Sequence, residues 1–390
     1  MLATSATACR VTTDPVQPSI SSPFLRLPRE LRDEVYDHYF RTDDGFTYDF
    51  VANKLKLAGG LPIPLALTLT CRQIHDEVQG LALTLNAIEF TTSFTEETQE
   101  NAGFYHSALT ITDDRKLALI EDLAPQLLSA DMAEAATEQY PQFAPIISSW
   151  RAHRRVRGLG RLNTSWGEPP SIWRDFIDLV LSLIATNPQF VEQSHIGSRS
   201  YGGYDDDQAL RLIGACTQPW IIPSTTELDN MVHITQVERK IPCYSPTTRY
   251  TYSAATSAIR FLRSITRTTR AAIRDIHVSE DRECIVSPEC HARGFISFCQ
   301  ENPKLQVTHT VSLWKNAFPV AYDRRLEYMD GAPSDPDRDH LLAKGITKSI
   351  GTWLMEASAL PSLGMPNNSY RLVLDGSPDI EYTSEVFRVV

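Results

Sequence analysis

Cys284, Cys290, His291 and Cys299 place three thiols and an imidazole within sixteen residues of a 390-residue chain. Three thiolates and one imidazole would complete a tetrahedral zinc site. The spacing argues against that use. Structural zinc sites pair ligands two to four residues apart, and Cys284-x5-Cys290 does not. Cys299 also falls in the apolar run Phe295-Ile-Ser-Phe-Cys299, and free cysteine is among the most buried residue types. As a nucleophile pair the set is poorer still. Adjacent Cys290 and His291 point in different directions along any regular element, and no third group is placed to orient them. The expectation is buried thiols, with no metal and no cofactor.

Arginine offers a second chemistry. Arg260, Arg263, Arg267, Arg270 and Arg274 are spaced three, four, three and four. On one continuous helix they form a basic stripe able to hold phosphates or an acidic peptide. Thr266, Thr268 and Thr269 weaken that continuity. A further group, Arg151, His153, Arg154, Arg155, Arg157 and Arg161, follows Trp150 and brackets Gly158-Leu-Gly160. Stacking on Trp150 with arginine on the backbone is one way to bind single-stranded nucleic acid. The net charge of −11 opposes that reading, because phosphate contact dominates such affinity. An acidic partner protein, or simple solvation of the face, suits Arg260, Arg263, Arg267 and Arg270 better.

Familiar catalytic templates are missing. The chain has no Gly-x-Ser-x-Gly, no Gly-rich phosphate loop ending in Lys-Ser/Thr and no His-Glu-x-x-His. Gly202-Gly-Tyr-Asp-Asp-Asp207 reads as a turn and a helix cap, since three consecutive carboxylates do not all face one ion. Carboxylate pairs assembled from distant sequence leave no local trace. The chain is therefore expected not to be an enzyme.

Composition sets the frame. With 42% hydrophobic and 22% charged residues, this is an ordinary globular chain, long enough for two domains. Seven scattered cysteines point to reduced thiols and a cytoplasmic or nuclear setting. Residues 1–22, rich in Ser, Thr, Ala and Pro, lack the apolar stretch of a secretory signal and read as a disordered tail. The best apolar segment, Ile172–Ala185, is broken by Arg174, Asp175 and Asp178 and is too short to span a bilayer. No membrane and no nucleic acid are expected as partners.

The elements that position these residues alternate. Thr112-Asp-Asp-Arg opens a helix, with Pro125 near a kink. Trp173 to Ile184 make a strongly amphipathic helix, and Asp205–Asp207 cap one over Gln208–Ala215. Helices are predicted at Thr256–Ser264, Thr268–Asp275, Glu289–Glu301 and Asp335–Leu360. Strands are predicted at Ile276–Val278, Leu305–Leu313, Tyr370–Leu374 and Glu385–Val390. No fixed-period repeat is present.

The N-terminal part holds the clearest pattern. In Phe24–Phe40, Pro28 suits a first helical turn, and Glu30, Asp33 and Glu34 put negative charge at the positive end of the dipole. Leu27, Leu31, Val35, Tyr36 and Tyr39 form one apolar stripe. Leu67, Cys71, Ile74, Val78 and Leu81 repeat the logic. Between them Phe46–Phe50 and Lys54–Leu57 read as two short strands or an irregular hairpin, which Ala87–Thr91 is able to join. Neither helix is stable alone, so each must bury a stripe.

Leu-Pro-x-Glu-Leu-Arg-x-x-Val-Tyr at 27–36, followed by Thr-Cys-Arg-Gln-Ile-x-x-Glu at 70–77, resembles the N-terminus of F-box-like proteins of fungi. The stretch from Arg260 to Trp314, with Pro-Glu-Cys-His-Ala-Arg-Gly-Phe-Ile-Ser-Phe-Cys, resembles the C-terminal halves of the same proteins. The resemblance implies that Leu27, Pro28, Leu31, Val35 and Tyr36 dock on the Skp-type adaptor of cullin–RING ubiquitin ligases. Leu69, Cys71 and Ile74 would pack behind them. The insertion Arg41–Pro64, longer than an F-box connection, is placed to cover the docking face. The expected architecture is α+β and mainly α. It has a tail at 1–22, an F-box-like helical module with a small hairpin insertion at 23–95, and a helical interaction body with short strands at 96–390. The expected function is protein interaction, as the substrate-recognition subunit of a ligase with an unknown target protein. The alternative is a non-ligase scaffold, or an enzyme of a class the sequence does not identify.

Overall fold

A computed structural model describes residues 22–156, 167–195, 208–215, 218–236, 249–320 and 343–389. The expected tail lies outside them except for Ser22. So do Asp205–Asp207, Arg157 and Arg161, and the start of the helix expected from Asp335. The fold is α+β and mainly helical.

Helix α1 (Arg29–Phe40) starts directly after Pro28, with Glu30 in its first turn. Strands β1 (Phe46–Asp49) and β2 (Lys54–Leu57) form an antiparallel hairpin. Short helices α2 (Arg72–Val78) and α3 (Leu81–Leu85) lead into β3 (Ile88–Thr91). Tyr36, Phe40, Ile74 and Val78 make a small core of their own. Gly45 lets β1 approach β3. Its φ is +67°, and a Cβ there would stand 2.5 Å from the Ala87 carbonyl oxygen.

Helices α4 (Glu96–Leu127), α5 (Ala130–Gln139), α6 (Ala144–Arg151) and α7 (Pro170–Ile184) pack around Leu123, Phe143, Trp150, Phe176 and Val180. Smaller helices α8 (Phe190–His195), α9 (Gln208–Gly214) and α10 (Thr225–Thr235) follow. Helix α4 starts sixteen residues before the expected Thr112, because Thr95 accepts from the Thr98 amide and caps it there. Thr112 and Asp113 sit mid-helix, where the Thr112 hydroxyl donates to the Ala108 carbonyl and Asp113 Oδ2 accepts from Arg174.

The chain then returns to the sheet through α11 (Ala254–Ser264) and α12 (Arg267–Ala272), β4 (Asp275–Glu280), a 3-10 segment (Pro288–Phe295) and α13 (Ile296–Glu301). Strand β5 (Gln306–Ser312), α14 (Ala343–Ala359), β6 (Tyr370–Asp375) and α15 (Ile380–Val389) complete it. The expected strand at Glu385–Val390 is therefore helix as far as Val389, with Val390 outside the described residues. The Asp379 carboxylate accepts the Tyr382 amide at 2.9 Å, which starts a helical turn where the apolar run alone allowed either structure.

The six strands form one sheet in the order β2-β1-β3-β4-β5-β6, parallel from β1 onward. Five parallel strands are laid down in chain order. Among the described residues the sheet therefore has no switch point of the kind that forms ligand crevices in doubly wound folds. Ile88, Phe90, Ile276, Val278 and Val307 face α11 and the 3-10 segment. In register on the opposite pleat run Thr47, Glu89, His277, Thr308 and Arg371. Strand β3, inside the expected module, pairs with β4, inside the expected body, so a boundary at 95 does not divide the sheet.

Candidate functional site

The α1 stripe expected from sequence divides in two. Arg32, Tyr36 and Phe40, four residues apart, are buried. Leu31, Val35 and Tyr39, also four apart, are exposed, as is Leu27 in the extended chain just before the helix; Leu31 and Val35 keep 46% and 45% of their surface. Tyr36 is thus a packing residue and not part of an exposed docking face. Its ring lies edge-on to Phe24, and its hydroxyl donates to Glu77 at 2.7 Å. Glu77 also takes two hydrogen bonds from Arg32, at 2.6 and 3.0 Å, and one from Gln73. The Arg32 guanidinium, helped by Tyr36 and Gln73, holds the Glu77 carboxyl down at about 2. This knot ties the inner face of α1 to α2. Pro28 is exposed at the head of α1.

Of the residues expected behind the stripe, only Ile74 is buried. Leu69 is 81% exposed and Cys71 is exposed. The reason is local. Leu67–Leu69 is a 3-10 turn, in which Leu67 points inward and a residue two further on does not. Cys71 is the extended residue that precedes α2, outside its first turn. The insertion Arg41–Pro64 does not lie over the stripe. Its hairpin is spent as the edge of the sheet.

The arginine stripe is not continuous. The helix breaks at Ile265, and Thr266 caps α12 by accepting the Thr269 amide. Arg260 donates to the Phe50 carbonyl and stands 4.5 Å over the Phe50 ring. Arg270 grips Glu301 with two hydrogen bonds and spans the Leu262 and Ile265 carbonyls. Arg263 and Arg267 remain exposed. The structure therefore uses half of the expected patch internally. Trp150 is fully buried and stacks on Phe176, so no base reaches it. Arg151 and Arg155 are held by the Leu128 carbonyl and by Asp122.

Cys284, Cys290, His291 and Cys299 are all buried. Among the described residues no three His, Cys, Asp or Glu side chains converge as metal ligands. Burial pushes the Cys290 and Cys299 thiols up to about 12 and the His291 imidazole down to about 4. His291 Nε2 lies 2.9 Å from the Val286 carbonyl oxygen, which makes Nε2 the protonated nitrogen. Nδ1 then accepts from the Ser253 or Thr256 hydroxyl. Neighbouring Glu280, at the end of β4, caps α11 through the Ala254 and Ala255 amides and faces His309.

One cavity of ≈340 Å³ brings together groups from four distant segments. Asp113, Asp114 and Lys116 come from α4; Ser171, Arg174 and Asp178 from α7; Glu289 and Cys290 from the 3-10 segment; Lys348 and Glu356 from α14. The 3-10 segment is aimed by two left-handed residues in succession, Val286 (φ 63°) and Ser287 (φ 56°). That backbone region is strained for a β-branched side chain. Lys116 pairs with Asp178 at 2.8 Å and Arg174 with Asp113 at 3.2 Å. Glu356 caps α7, accepting the Ser171 amide and hydroxyl at 2.8 and 2.6 Å. Burial raises Glu356 against those two hydrogen bonds, and the nearby Glu289 charge adds to the rise. Sequence reasoning missed this site because its parts lie far apart. The available signal was Arg174 and Asp178 interrupting an otherwise apolar helix.

No family model, curated protein or solved structure matches the chain. Among the described residues no helix is long and apolar enough to cross a membrane.

Proposed function

We propose that this chain is a protein-interaction subunit whose first helix docks on a Skp-type adaptor of cullin–RING ligases, while the remainder selects a target protein. What carries the reading is the outer face of α1. Leu27, Leu31, Val35 and Tyr39 present one row of large apolar side chains to solvent, while the knot at Glu77 fixes the inner face. An apolar helical row recurring every four residues is a usual means of entering a partner's groove, and aliphatic anchors at such centres carry much of the affinity. The resemblance of the Leu-Pro pattern to F-box-like proteins supports a Skp-type partner, and scattered free thiols suit the cytoplasm or nucleus.

The test is co-purification with purified adaptor. Wild type is expected to bind, and Pro28→Ala with Leu31→Ala to abolish binding. A wild-type chain that never associates with the adaptor sinks the ligase reading. Capture of another protein through the same residues would favour the non-ligase scaffold.

A further inference from the structure

The cavity between α4, α7, α14 and the 3-10 segment has a carboxylate that the protein does not neutralise. Glu289 is 6% exposed and lines this cavity. Among the described residues its carboxylate meets no hydrogen-bond donor and no cation within ion-pair distance. Of the other charges lining the cavity, Asp114 is exposed to solvent, and the remaining carboxylates are engaged. Asp178 holds Lys116, Asp113 holds Arg174, and Ser171 holds Glu356. A second acceptor of the lining, Asp113 Oδ1, is buried and has no donor either. Lys348, the remaining cation of the lining, is exposed. A carboxylate enclosed in a cavity with no protein donor depends on solvent or a ligand there for its partners.

We propose that this cavity binds a small organic cation, with the Glu289 carboxylate as counter-ion to its ammonium group. The rest of the wall favours an organic ligand over a metal ion. No set of three ligating side chains converges among the described residues. Leu117, Pro170, Trp173 and Ile177 line the same space with apolar surface for a hydrocarbon portion. The volume falls within the range of small-molecule sites. This inference stands apart from adaptor docking, whose residues at 27–39 do not line the cavity.

The experiment is calorimetric titration of the full chain with putrescine and with cyclohexylamine, beside sodium and magnesium chloride at matched ionic strength. Saturable heat from at least one amine is expected, along with a rise in Tm that the salts do not give. Glu289→Gln should weaken that binding roughly ten- to a hundredfold without lowering the Tm of the unliganded protein. Affinity unchanged by Glu289→Gln overturns the assignment, as does stabilisation by magnesium with none from the amines. The wild-type titration is decisive even where the variant does not fold: no saturable heat from either amine ends the proposal.

Discussion

His291 illustrates what burial does to a side chain that does chemistry elsewhere. Both ring nitrogens are engaged, one by the Val286 carbonyl and one by hydroxyls at the head of α11. Burial lowers its pKa to about 4 from the ordinary 6.5, so the folded protein holds it neutral. The unfolded chain binds its proton first on acidification. Between pH 6.5 and 4 the unfolded state carries more protons, and stability must rise with pH across that window. The contribution present at pH 7 is roughly 3 kcal/mol at most and is lost by about pH 4. Denaturant midpoints at pH 7, 5.5 and 4.5 measure it. Wild type should weaken more steeply than His291→Gln over that range. Parallel curves for the two proteins would show that this imidazole is not held neutral.

Helix α1 carries two apolar rows, and their jobs separate by mutation. Tyr36→Ala removes a fully buried ring and the donor to Glu77, and is expected to cost about 3–5 kcal/mol of stability. Leu31→Ala removes exposed surface and should leave the melting temperature nearly unchanged. Equal losses from the two, measured by thermal denaturation, would mean that Leu31 is a core residue. Spacing revealed the helix, but it gathered Leu27, Leu31, Val35, Tyr36 and Tyr39 into one stripe where the structure has an inner and an outer row. It did not say which row turns inward. That was settled by Arg32 and Glu77, forty-five residues apart, through a bond that leaves no local pattern. The same limit explains the arginines. Their spacing suited one long helix, yet Thr266 prefers to cap, and Arg270 is claimed by Glu301. Legible elements were those with strong periodicity, such as α7, or strong alternation, such as β5. The cavity was illegible because each of its helices contributes two or three charges that look like ordinary surface residues.

At the scale of the molecule, the N-terminal segment and the helical body share a sheet. β3 lies between β1 from the hairpin and β4 from the far side of a long helical excursion. Phe46, Ile88 and Phe90 are buried against Ala258, Phe261 and Ile276. Thr84 donates to the Ala272 carbonyl, and Arg260 to that of Phe50. A fragment of residues 22–95 would lose the β4 edge of β3 and expose those three side chains. What remains is the four-residue cluster of Tyr36, Phe40, Ile74 and Val78, and a chain near seventy residues needs more buried surface than that to fold alone. The fragment is therefore expected to show no cooperative transition in urea when followed by circular dichroism, while the full chain does. A sigmoidal fragment transition with dispersed amide resonances would establish an independent module and restore the boundary at 95. The consequence bears on docking. With β3 paired into the body, the orientation of α1 is set by contacts closed only when residues near 276 have folded. An adaptor that reads the outer row of α1 should therefore bind the full chain better than it binds the isolated N-terminal segment.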